Sequence, residues 1–101
     1  MEQNERTEAL ERMTPLIKEL DEEKRATLVQ ALLAYRRTQG TTWREIGEAW
    51  DMAHTTFYVL ERGTKPSDDV LAKFASFYGD FKASPSEWLE WYEAYKALMS
   101  A

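Results

Sequence analysis

The chain of 101 residues contains no cysteine, one histidine, four glycines and three prolines. Without cysteine there can be neither a disulfide framework nor a thiolate metal site, and a lone His54 has no partner with which to hold a metal. Scarce glycine and proline, set against abundant Ala, Leu, Glu, Lys and Arg, favour uninterrupted helices and predict an all-α fold. No apolar run approaches the roughly 20 residues needed to span a bilayer. The polar, acidic opening MEQNERTEALE lacks the apolar centre of a signal peptide. No Ser-His-Asp set, glycine-rich phosphate loop or metal-ligand cluster is visible, so the reading is a non-enzymatic, cofactor-free cytoplasmic domain with its own core.

Charge is unevenly spread. The net charge is −5, which is not the balance of a general nucleic-acid binder. Residues 1–35 carry five basic and eight acidic groups, and residues 66–101 carry three basic and six acidic. The middle third, 36–65, has Arg36, Arg37, Arg44, Arg62 and Lys65 against Glu45, Glu48, Asp51 and Glu61, a balance of +1. Phosphate contact is therefore best placed there, with weak non-specific affinity.

That same third holds the most organised pattern, TTWREIGEAWDMAHTTFYVLERG from Thr41 to Gly63. Thr42 is placed to N-cap a helix, with Glu45 completing a capping box. Ile46, Ala49 and Trp50 share one face of that helix. Asp51 to Ala53 has no sustained period and suits a turn. His54 to Arg62 resumes the 3.6-residue period through Phe57 and Leu60, and Gly63 falls where a left-handed terminating residue is wanted. Two short helices about a tight turn make a helix-turn-helix.

The flanks read as support. Residues 1–20 form an N-terminal helical arm bearing Leu10, Met13, Ile17 and Leu20. Polar residues at its start are expected to fray, and Thr14-Pro15 is expected to kink the arm or begin a fresh helix. Asp21, with Glu22 and Glu23, starts a helix of about 18 residues that turns Leu28, Leu32, Leu33 and Tyr35 inward and stops at Gly40. Ser67 caps a further helix through Val70, Leu71, Phe74 and Tyr78, ended by Gly79. Ser84-Pro85-Ser86-Glu87 combines a capping box with proline at the first helical position. The division expected is an arm over 1–20, a helix-turn-helix domain over 21–80 and a C-terminal helix over 81–101.

From Leu33 to Gly79 the chain resembles the XRE family of lambda-repressor-like and Cro-like helix-turn-helix domains. Arg36 lies four residues before Gly40, Glu61-Arg62-Gly63 follows the second motif helix, Pro66 comes shortly after, and the helix from Val70 to Gly79 closes the core. Three positions depart from the family pattern: Trp43 stands where glutamine usually meets a phosphate, Asp51 where the turn usually has glycine, and Ala53 where serine usually caps the second helix. Asp tolerates a left-handed backbone better than most residues, which preserves the turn. The resemblance implies a structural ion pair between Arg36 and Glu61. It also implies base reading in the major groove by His54, Thr55, Tyr58 and Val59. Candidate phosphate contacts are Arg37, Thr42, Trp43, Arg44, Thr56, Arg62 and Lys65. Each of these except Trp43 is equally readable as an ordinary solvated side chain. Trp50 reads as core, and Trp43, at the front of its helix, as partly exposed.

Trp88, Trp91, Tyr92, Tyr95, Leu98 and Met99 recur at steps of three and four. They suit either a fifth core helix or a dimer seam, where aromatics and methionine are enriched; the seam is preferred, with Leu10, Met13 and Ile17 of the arm joining it. A two-fold pair would set two recognition helices about 34 Å apart on a palindromic operator in double-stranded DNA. The function expected is a homodimeric transcriptional regulator of bacterial or phage repressor type. The rival is a protein-interaction module on the same fold, an anti-repressor or adaptor binding a protein partner.

Overall fold

Helix boundaries in the computed structural model, which describes the backbone of residues 2–100 and the side chains of residues 5–100, follow local capping chemistry closely. Six α-helices form: α1 (Glu2–Lys18), α2 (Glu22–Gln39), α3 (Trp43–Ala49), α4 (Thr55–Tyr58), α5 (Asp68–Phe77) and α6 (Pro85–Ser100); a 3-10 turn, Val59–Arg62, continues α4. The fold is all-α, with no strand among the described residues. Asp21 accepts the Lys24 amide at 2.8 Å to open α2, and Ser67 accepts the Val70 amide at 3.2 Å to open α5. Gly40 and Gly63 end α2 and the 3-10 turn at φ +67° and +86°, a region that costs residues with a Cβ but not glycine. The start of α6 differs from a standard capping box. Glu87 receives the Ser84 hydroxyl at 3.2 Å and reaches one residue further back, to the Ala83 amide at 2.8 Å.

The core is one apolar cluster. Met13 and Ile17 of α1, Leu28 and Leu32 of α2, Ile46 of α3, Phe57 of α4, Phe74 of α5 and Trp88 of α6 are all fully buried. α1 lies along α5, and α6 lies along α2. The first pair comes close because Ala9 faces Gly79: a Cβ on Gly79 would stand 2.7 Å from that of Ala9.

Three expectations for the flanks are corrected. Residues 2–18 form one α-helix that is not restarted at Thr14-Pro15; Met1 lies outside the described residues. Pro15 sits inside it, and the preceding Thr14 hydroxyl donates back to the Leu10 carbonyl at 2.7 Å, one turn earlier. Met13 and Ile17 are core, with Leu10 packed against them, and are not free to join a seam between copies. Trp88 is likewise wholly buried, ringed by Tyr35, Tyr78 and Phe81. That removes it from the dimer seam, because α6 closes the core as a genuine structural helix.

Candidate nucleic-acid interface

The helix-turn-helix is built asymmetrically. In α3 the capping box is complete: Thr42 accepts the Glu45 amide at 3.2 Å and Glu45 accepts the Thr42 amide at 3.3 Å. Trp43, Ile46 and Gly47 are buried beneath it. Gly47 permits the turn to fold back, since the Met52 amide donates to the Gly47 carbonyl at 2.8 Å and a Cβ on Gly47 would sit 2.7 Å from the Met52 carbonyl oxygen. Asp51 occupies the left-handed region at φ 52°, the conformation a glycine would otherwise supply.

The second motif helix is shorter and tighter than its periodicity implied. One α-helical turn, Thr55–Tyr58, passes directly into the 3-10 turn. No side chain caps its start. His54, at the N-cap position, has φ −62° and ψ −26°, whereas a capping side chain needs an extended backbone there. Tertiary contacts hold the segment instead. Phe57 and Leu60 are buried, and Phe57 meets Phe74 edge-on at 6.3 Å.

Glu61 supplies the third anchor by pairing with Arg36 of α2. Arg36 also donates to the Thr41 carbonyl at 2.6 Å and lays its guanidinium over the Trp43 ring at 4.1 Å. Its side chain is only 15% exposed, against 35% for Glu61. One arginine thereby joins the end of α2, the start of α3 and the end of the second helix. This arrangement also corrects the expectation for Trp43. It is buried at 8% exposure between Arg36 and Phe74, whose ring lies at 5.3 Å, and its indole N–H does not reach the surface. Trp43 is not placed to touch a phosphate.

The other expected contacts divide by exposure. His54, Thr55 and Tyr58 are exposed and Val59 is half-buried, as is Thr56. Arg37, Thr42, Arg44, Arg62 and Lys65 are exposed. Several are already engaged. Thr42 spends its hydroxyl on the capping box, also donating to Glu45 at 3.1 Å. Lys65 reaches Glu22 at 3.0 Å and holds that carboxyl below its usual range through hydrogen bond and charge. Arg62 lies over the Tyr58 ring at 5.1 Å, tying a candidate phosphate contact to a candidate base contact. Trp50 packs against the core from its edge.

Beyond the motif, periodicity did not disclose an aromatic stack on the α2–α6 side. Phe81 lies flat on Tyr35 at 4.3 Å, with Trp91 edge-on to Tyr35 at 5.4 Å and stacked on Tyr95 at 5.1 Å. Phe81, two residues past Gly79, was the available signal, but it lies in the loop between α5 and α6, where no period applies. Of the expected seam, Trp91, Tyr92 and Tyr95 are half-buried, while Leu98 and Met99 stand 76% and 68% exposed. No group of His, Asp and Glu among the described residues could hold a metal ion, and no helix there is long and apolar enough to cross a membrane. Compared with known proteins, the chain matches no family model, no curated protein and no solved structure.

Proposed function

We infer that the chain is a sequence-specific DNA-binding regulator of the XRE type, acting as a homodimeric repressor at a palindromic operator. One observation carries this reading: His54, Thr55 and Tyr58 project to solvent from a segment whose opposite side is locked by Phe57, Leu60 and Glu61. A rigidly anchored helix with exposed polar and aromatic side chains is what base reading in a major groove requires. Arg37, Arg44 and Arg62 supply nearby cations for phosphates. Exposed Glu45, Glu48 and Asp51 offset them, so a single copy binds weakly and two are needed. Pairing uses the outer end of α6, where Leu98 and Met99 are open. Regulation then works by occlusion, without catalysis.

Competition with genomic DNA fragments, read by anisotropy at low and moderate salt, tests this. A small set of fragments should compete far better than random DNA, and the preference should survive added salt better than the bulk affinity does. If no fragment outcompetes random DNA at low salt, the regulator reading fails. The adaptor reading draws on a separate observation, the exposure of Phe81 where it stacks on the half-buried Tyr35 between α2 and α6.

A further inference from the structure

A cavity of about 210 Å³ lies between α2 and the segment that carries the chain from the second motif helix into α5. None of the residues assigned to base reading lines it. Val29, Leu60 and Leu71, all buried, form its inner wall, and Ala26 and Pro66 stand nearer the surface. A closed apolar cavity of about 150 Å³ accepts a benzene ring, so this one has room for a ring and a small polar group.

Its mouth is charged. Glu22, Arg25 and Lys65 line it, two cations against one carboxylate. Both cations act on Glu22: Lys65 donates to its Oε1 at 3.0 Å, and Lys65 first, then Arg25, hold its carboxyl below the usual range. The place that carboxylate occupies is therefore an anion position beside an apolar cavity. Arg25 is fixed there, donating to the Lys18 and Leu20 carbonyls, both at 3.1 Å, and to Asp68, which is not part of the lining. The Lys65 and Glu22 side chains, by contrast, are 77% and 84% exposed, and an ion pair so open to water holds weakly. A carboxylate arriving from solvent can replace Glu22 at small cost. An amine in the place of Lys65 would instead face Arg25.

We propose that this cavity binds a small aromatic carboxylate, with its ring against Val29, Leu60 and Leu71 and its carboxylate on Lys65 beside Arg25. Glu22 turns out to solvent when the ligand enters. In the empty site Glu22 is a built-in competitor that marks the anion position. The assignment is independent of DNA binding.

Titration of the full chain with sodium benzoate at constant ionic strength, followed by amide and methyl NMR shifts, tests the proposal. Benzoate should saturate the protein with a Kd of about 1 mM or tighter, and the shifts should centre on Val29, Leu60 and Leu71. Acetate lacks the ring, benzamide lacks the charge and benzylamine reverses it; each should bind about fivefold or more weakly. Lys65→Gln should weaken benzoate about fivefold, and Glu22→Gln, which removes the competitor, should tighten it about threefold. Both side chains are exposed, and circular dichroism should show both variants folded. Four results each overturn the proposal: no saturation of wild type by ~20 mM benzoate, shifts centred elsewhere, benzamide or benzylamine binding as tightly as benzoate, or unchanged benzoate affinity in both variants.

Discussion

The two helices of the motif have similar apolar periods but are stabilised in different ways. α3 is specified by its own residues: Thr42 and Glu45 cap each other, and Trp43 and Ile46 sit a helical step apart on the buried side. The segment Thr55–Arg62 has no side-chain cap and only one α-helical turn, and depends on Phe57, Leu60 and Glu61 being gripped from elsewhere. Short helices are marginal alone, so its shape belongs to the whole domain rather than to its own sequence. A helix fixed by distant anchors keeps its outer face free of structural duty. His54, Thr55 and Tyr58 are then replaceable without loss of fold, as a recognition surface needs.

The largest effect that would break this contrast is removal of a tertiary anchor. Phe57→Ala should cost about 3–5 kcal/mol, seen as a large fall in the thermal midpoint. A loss below about 1 kcal/mol would mean that the second helix stands by itself. Tyr78, on the framework side, offers a chemical version. Burial pushes its phenol up to about 12 from an ordinary 10.0. The folded state thus favours the neutral phenol. Its contribution is fully present below pH 10 and is lost as pH rises from 10 towards about 12, a drop of order 2 kcal/mol in denaturant titrations if no other group intervenes. Stability that stays flat across this window would place Tyr78 in contact with water.

Smaller effects sharpen the comparison. Glu61→Gln should cost about 1–3 kcal/mol, because it leaves the mostly buried Arg36 without its countercharge while the stacking on Trp43 persists. Thr42→Ala should cost about 1 kcal/mol through loss of the capping box. His54→Ser, by contrast, should change the melting midpoint by the equivalent of less than ~0.5 kcal/mol, since its helical backbone cannot present a cap to the following amides. A clear gain of stability from His54→Ser would show that the second helix accepts a side-chain cap after all.

What the sequence made legible was mostly local. Asp21, Thr42, Ser67, Gly40 and Gly63 announce helix ends because capping and left-handed termination involve residues only a few positions apart. Asp51 could be placed in the turn for the same reason. What was missed depends on partners far along the chain. Trp43 reads as exposed until Arg36 and Phe74 close over it, and Trp88 reads as seam until Tyr35 and Tyr78 meet it. Pro15 looks like a helix start because Thr14-Pro15 has the spacing of an N-cap and first helical residue, whereas the burial of Met13 and Ile17 on either side of it depends on distant partners. Phe81 went unremarked because an aromatic in a loop has no period to betray it. On the interface itself, exposure separates the candidates, but charge does not favour a strong grip: Lys65 and Arg62 already have neighbours, and acidic residues stand among the arginines.

The most direct test of a base-reading face on an anchored helix is the double variant His54→Ala with Thr55→Ala, measured beside wild type for preference among genomic DNA fragments and for thermal unfolding. The account predicts that site preference is abolished while the melting midpoint barely moves. Preference that survives unchanged, or a loss of stability matching the loss of binding, would contradict it.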